Sequence, residues 1–364
     1  MSDLLTNLFQ TLDKMINEKY LLLFEDCRIV EGSKNNLILD LNRVNNTHYI
    51  PDSLNDFIEK CKDTPIDQVK LQYKTEEIPI VEEYIEFILE NEYGHLASPT
   101  LKKHLGVIDL EYRSPELIDN AIICIQEDQL EGIKSAVDQL KTTLLCRYLE
   151  VRWKKCSLEK MQEFLGWLEG SLIKAVIFHI DFDQEILDNE MSLLKDYPRL
   201  NELHLYGTDL ISENEDIKCY SYTIDYIKGC GLINKDSMTI NQSFYLESQK
   251  YNTCLNKKIS IDFDGYIKNC PSMKKQYGHI SEITLIDVIQ QPEFQSLWNI
   301  GKDKIHVCQD CEFRFSCTDC RAFLEKPEDI YSKPLKCGYN PYNGEWASWS
   351  KNPNKQVAIA FYEL

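Results

Sequence analysis

Positive charge is scarce in this chain. Its 364 residues carry 40 lysines and arginines against 59 aspartates and glutamates, a net charge of −19. Such a field opposes the phosphate attraction that drives nonspecific nucleic-acid binding, so no nucleic-acid partner is expected. A neutral or basic peptide suits the surface better. Long apolar runs are missing as well. Stretches such as 20–24 fall far short of the ~20 residues a membrane helix needs, and the first residues hold no basic segment followed by an apolar one. No membrane partner is therefore expected, and the cytoplasm is the expected location. The chain also has no Walker loop, Gly-rich dinucleotide fingerprint, H-E-x-x-H or G-x-S-x-G, which removes the common nucleotide, metalloprotease and hydrolase readings. Low-complexity linkers are absent too. With 43% hydrophobic residues the chain can bury ordinary cores, and its length allows two or three domains of roughly 100 to 200 residues each.

Cysteine, by contrast, is abundant and unevenly placed. Fourteen are present, and seven of them fall between Cys254 and Cys337. In a reducing compartment metal binding or chemistry is a better reading than disulfides. The scattered Cys27, Cys61, Cys124, Cys146, Cys156, Cys219 and Cys230 read mostly as small buried hydrophobes.

Residues 1–100 form a first unit. Leu5, Leu8, Phe9, Leu12 and Ile16 repeat at helical spacing, which predicts a helix over residues 4–16. Two strands are expected over 20–30 and 36–41, with Gly32 and Ser33 supplying the turn. Asp52 or Ser53 can cap a helix bearing Leu54, Phe57, Ile58 and Cys61, and Thr64 with Asp67 marks a second helix start. A third helix opens at Pro79, carries Val81, Tyr84, Ile85, Ile88 and Leu89 on one face, and is expected to stop at Gly94.

That order of strands then three helices, with the ending Glu90-Asn91-Glu92-Tyr93-Gly94-His95-Leu96, resembles a PqqD-like precursor-peptide recognition element over residues 18–97. The resemblance implies a winged-helix module that binds the leader of a ribosomally made peptide as an added strand on an exposed sheet edge. The alternative is a DNA-binding winged helix, which the acidic charge disfavours.

Across residues 115–245 apolar strands alternate with amphipathic helices. Strands are expected over 120–126, 145–152, 174–180 and 201–206. Between them lie stripes such as Leu130, Ile133, Val137, Leu140 and then Leu158, Met161, Leu165, Leu168, the latter after Ser157 as N-cap. This is an α/β pattern with a parallel sheet. Four units cannot close an eight-stranded barrel, so a partial barrel or short open sheet is expected, with residues 238–247 as a possible further strand.

The third unit, residues 250–345, carries the strongest signal. Cys254-x10-Gly265-x4-Cys270 is followed by Cys308-x2-Cys311-x5-Cys317-x2-Cys320 and then Cys337. Asp264-Gly265 reads as a tight hairpin turn that can bring Cys254 and Cys270 together. Paired Cys-x2-Cys units place two sulfurs on one turn of chain.

This pattern resembles the SPASM domain of radical S-adenosylmethionine peptide maturases, with one residue fewer than usual between Cys317 and Cys320. The wording from Cys308 to Cys320 is similar to the maturases of grasp-with-spasm systems, which work beside an ATP-grasp ligase and a short precursor peptide. The resemblance implies two auxiliary 4Fe-4S clusters, one on Cys308, Cys311, Cys317 and Cys337, the other on Cys254, Cys270 and Cys320. The second set lacks a fourth ligand, because Cys230, the nearest cysteine upstream, is not included in it. An iron left open in this way could bind a substrate.

What the radical family needs most is not in the sequence. No three cysteines stand at C-x3-C-x2-C, the expected loop 127–132 has none, and no Gly-Gly pair exists to supply the cosubstrate motif. The middle unit therefore reads as a degenerate radical-enzyme barrel, and S-adenosylmethionine is not expected as a cofactor. Whether the chain is an enzyme stays open. The leading expectation is a peptide-maturation protein that binds the precursor leader and two 4Fe-4S clusters alongside an ATP-grasp ligase. The alternative is a zinc-stabilised adaptor, in which two Cys-x2-Cys pairs hold one zinc and His279 or His306 completes a second site. A third reading, an active radical enzyme using Cys146 and Cys156, requires a poor cluster geometry.

Overall fold

A computed structural model describes residues 18–43, 46–104, 111–126, 130–212, 214–224 and 230–364. The helix expected over 4–16 and residues 127–129 of the expected cluster loop lie outside them. The chain is mixed α/β, built on a large, mostly parallel sheet. No helix among the described residues is long and apolar enough to cross a membrane.

The first strands are β1 (Tyr20–Leu23), β2 (Cys27–Val30), β3 (Asn36–Asp40), β4 (Thr47–Ile50) and β5 (Gly94–Ala97). The single strand expected over 20–30 is thus two. A turn closed by the Cys27 N–H on the Phe24 carbonyl at 2.9 Å sends β1 to pair with β5 and β2 to pair with β3. Both pairings are antiparallel, and β4, which the sequence pattern did not suggest, completes a three-stranded sheet in the order β2-β3-β4. Helices Asp52–Cys61, Ile66–Lys70 and Ile78–Glu90 lay Leu54, Phe57, Ile58, Val81 and Ile88 into one core with Leu21, Ile38 and Ile50.

Gly94 plays a different part from the expected helix stop. The last helix ends at Glu90, and Glu92 takes the left-handed turn with φ 54°. Gly94 instead opens β5, where a Cβ would sit 2.3 Å from the Leu22 carbonyl oxygen. It is a site of close strand approach.

The large sheet contains β6 (Asn120–Ile125), β7 (Tyr148–Trp153), β8 (Ala175–Asp181), β9 (Leu200–Tyr206), β10 (Ile217–Tyr220), β11 (Lys258–Ile261) and β12 (Ile267–Lys268). Their order is β10-β9-β8-β7-β6-β11-β12, parallel except for the β11–β12 hairpin. The strand that extends the sheet beyond β6 is β11, not 238–247, where Gln242–Ser248 is helical. Asn241 caps that helix by accepting from the Phe244 N–H, a signal that outweighs the apolar run.

Register gives each face its character. Ile261, Ile123, Val151, Phe178, Leu203 and Ile217 are successive cross-strand partners, and all are buried in the main core. Helices Leu130–Thr142 and Leu158–Trp167 and the turn of helix Leu285–Ile289 pack on this face. One residue further along, the pleat turns the next row to the other side. That row reads Cys124, Arg152, His179, His204 and Lys218.

The β11–β12 hairpin turns at Gly265, whose φ of +83° is open to glycine without strain. Its Asp262 carboxylate accepts from the Asp264 and Tyr266 N–H groups. The C-terminal residues that follow have little regular structure and lean on the three-stranded sheet, where Val30, Leu37 and Leu39 share a core with Tyr245, Phe313 and Phe315.

Candidate metal centres

Irregular chain needs specific side-chain partners to hold its shape, and the cysteine-rich region has a buried set of them. Asp319 stands between Cys317 and Cys320 and is 3% exposed. Its carboxylate accepts two bonds from the Arg321 guanidinium, at 2.6 and 2.9 Å, and one from Asn252 Nδ2 at 2.6 Å. Lys302 Nζ lies 3.0 Å away. Burial works against the charge on Asp319, but Lys302 and Arg321 outweigh it and hold the carboxyl at about 2. Asn252 in turn accepts from the Cys254 N–H at 3.1 Å, and Thr253 Oγ1 donates to the Cys317 carbonyl at 3.2 Å. Cysteines far apart in sequence are thereby brought together.

Two cavities flank this hub. The first, about 20 Å³, is lined by Cys308, Cys311, Cys317 and Cys337, with Lys302 and Phe313 among its other walls. Cys308 and Cys311 sit on one tight turn, the Cys311 N–H bonding the Cys308 carbonyl at 3.1 Å, and Val307 enters it with φ 68°. A left-handed backbone at a β-branched residue is strained. Cys317 and Cys337 are both held by the segment 233–238: isolated β-bridges pair Met238 with Cys317 and Ile233 with Cys337.

The second cavity, about 220 Å³, is lined by Cys254, Cys270 and Cys320 and also by Cys230. Cys230, left out of the expected set, is a fourth thiol on the wall of this cavity. The Cys270 thiol beside it, with Arg152, depresses the Cys230 thiol. Gly231 makes the approach possible. Its φ is +72°, and a Cβ there would lie 2.8 Å from Cys320 Sγ. A cysteine between two glycines, Gly229-Cys230-Gly231, was the available sequence signal.

Among the described residues no group of three or more His, Cys, Asp or Glu side chains is placed to hold a single metal ion. The donor sets nonetheless have a definite chemistry. Each cavity offers four sulfurs and, among the described residues, no lining His, and thiolate sets of four suit iron–sulfur clusters or zinc rather than calcium or magnesium. Burial pushes the Cys317 and Cys320 thiols up to about 12, so a metal would have to displace their protons. Cations stand ready to balance the thiolates. Lys302 is raised by Cys317 and Asp319 despite its burial, and Lys258 Nζ is 3.8 Å from Cys254 Sγ.

The histidines of the zinc alternative lie elsewhere. His279 bonds Ser281 and the Asp264 carbonyl beside the Gly265 turn, and the side chain of His306 is mostly exposed, 3.6 Å from Asp329. Cys146 and Cys156 flank opposite ends of β7 and are buried, with thiols raised to about 12 by desolvation. A six-residue strand separates them by about 20 Å.

A second constellation, unforeseen from the sequence, lies on the sheet face opposite the apolar row. His179 Nδ1 is 2.7 Å from the Tyr206 hydroxyl and its Nε2 is 3.5 Å from Glu150. His204 Nε2 is 2.7 Å from Glu202, and the two imidazole centroids are 4.4 Å apart. Arg152 Nε donates to Glu150 at 2.7 Å, and Lys218 to Glu202 at 2.6 Å. Burial lowers both histidines, His179 to about 4. Only the strand register, which no motif announces, brings these residues together. No family model, curated protein or solved structure matches the chain.

Two outcomes follow from this geometry. Asp319→Asn leaves Lys302 and Arg321 buried with too little negative charge and is expected to cost about 3–5 kcal/mol in a denaturant melt. His179 gains its proton at lower pH when folded than when unfolded, so the unfolded chain takes up the proton first as pH falls. Its contribution to stability should be complete above about pH 6.5 and decline from there to about pH 4. The gap between wild type and His179→Gln in melts across that window should narrow as pH falls, and a constant gap would contradict the assignment.

Proposed function

We propose that this is a peptide-maturation protein of a ribosomally synthesised, modified peptide system. In this reading it binds a precursor leader through residues 18–97 and holds two 4Fe-4S clusters in its C-terminal region. The observation that carries the reading is the sorting of eight cysteines into two cavities of four. Cys308, Cys311, Cys317 and Cys337 would hold one cluster, and Cys230, Cys254, Cys270 and Cys320 the other. Bound clusters of this type supply one-electron transfer. With Cys230 as fourth ligand the second site is closed, which favours electron transfer or scaffolding over substrate ligation to an open iron.

The peptide module would use strand addition. In the sheet order β2-β3-β4 the outer edge of β4 has no partner strand among the described residues, and its Tyr49 is half exposed. An extended leader pairing there gains backbone hydrogen bonds, and pockets between alternate side chains select its sequence. An ATP-grasp ligase is the partner this role requires, and the cytoplasm is the compartment that keeps the thiols reduced.

Zinc is the second reading, favoured by the small volume of the first cavity. Anaerobic purification with iron, sulfide and zinc counting separates the two. The cluster reading expects about eight irons per chain, falling by about four in Cys311→Ala. One or two zincs without sulfide would leave only a metal-stabilised adaptor. The leader claim is tested by retention of the co-encoded precursor peptide: a chain starting at residue 98 should lose it, and equal retention would remove the recognition role.

A further inference from the structure

The N-terminal module does not merely neighbour the first cysteine cavity. The tip between β2 and β3 is seated on the loop that carries its ligands. The Ser33 N–H donates to the Asp310 carbonyl at 2.8 Å. Asn35 Nδ2 donates to Glu312 Oε1 at 3.4 Å, and Arg314 donates to both the Glu31 carbonyl and the Cys311 carbonyl. Gly32 leaves no room for a side chain, since its Cβ would lie 2.8 Å from the Glu312 backbone nitrogen.

Glu312 is the centre of the contact. It follows Cys311 directly and is 0% exposed. It accepts from Asn35 of the module and from the Tyr339 hydroxyl two residues after Cys337. Its other oxygen, Oε2, has no hydrogen-bond partner among the described residues. A buried carboxylate with one oxygen unsatisfied is stable only while its neighbours hold it in place. Next in the chain, Phe313 lines the cavity and packs edge-on against both Tyr339, at 5.1 Å, and Tyr49 of β4, at 6.1 Å. One short loop thus touches the cavity on one side and, on the other, both the β2–β3 tip and the strand with the free edge.

We propose that the state of the first cysteine cavity sets the order of the three-stranded sheet, so that the module is fully formed for an extended peptide only when that cavity is filled. This rests on the metal and peptide readings above. Filling fixes Cys308 and Cys311. Glu312 and Phe313 then stay in register with Asn35 and Tyr49, and β4 keeps its edge straight. An empty cavity frees the loop, and the orphaned Glu312 carboxylate gains by turning toward water. A coupling of this kind is reciprocal: loosening the tip must loosen the loop.

Amide hydrogen exchange on the full-length protein tests this without the peptide. Cys311→Ser should speed exchange across residues 27–50 by about tenfold, whereas Cys254→Ser, which alters only the second cavity, should leave it within about twofold. Exchange unchanged by Cys311→Ser, or raised equally by both variants, would overturn the proposal. Asn35→Ala checks the reverse direction by removing a tip contact without touching a cysteine. Faster exchange is expected at residues 308–317 as well as at 27–50, and a change confined to 27–50 would sink the link. Metal counting on the same samples keeps the two readings apart. A wild-type protein without iron or zinc ends the metal assignment, while Asn35→Ala still decides whether tip and loop are joined.

Discussion

The cysteine-rich region depends on one buried anion. Asp319 is enclosed by Arg321, Lys302 and Asn252, and each of these partners belongs to a different stretch of chain. Two buried cations on one carboxylate would ordinarily leave excess charge, and an ion group of this kind contributes little net stability compared with apolar packing. Its value lies in specificity. The two thiol-lined cavities share the Cys317–Cys320 segment, and Asp319 within it is the anchored residue. Thiolates in the first cavity would also add negative charge beside Lys302, which shares Asp319 with Arg321, so the ionic hub and that sulfur set are electrostatically complementary.

The large sheet shows a similar division of labour, produced by the pleat alone. One row of cross-strand partners is entirely apolar and holds the helices. The adjacent row is Cys124, Arg152, His179, His204 and Lys218. A polar row inside a fold needs groups that satisfy it. Glu150, Glu202 and Tyr206 do this from the neighbouring rows. Arg152 of this row also contributes, after Cys270, to depressing the Cys230 thiol.

Much of the fold was legible in the sequence where a local period was strong. The stripes of residues 130–140 and 158–168 and the apolar strands between them set out the parallel sheet. The Asp264-Gly265 hairpin announced itself through its glycine. Legibility failed where the deciding contact was long-range. A continuous apolar run from residue 20 to 24 could not reveal that β1 and β2 part at Phe24, because the two strands answer to different partners. Gly94 looked like a helix end, but its role is set by Leu22 across a strand pair. Cys230 sits 24 residues before Cys254, and only the folded chain shows that Gly231 lets it reach Cys320. The His179–His204 pair is invisible to any motif because strand register assembles it.

Strand β11 comes from the stretch directly after Cys254, yet it lies between β6 and β12 in the main sheet. The cysteine-rich region is therefore not a cassette that evolution or a cloning scheme could detach at residue 250. Removing it would bare the backbone edge of β6 along Asn120 to Ile123. A fragment with such an edge is a template for self-pairing. For this architecture, losing the sulfur-bearing region and losing the solubility of what remains would be a single event.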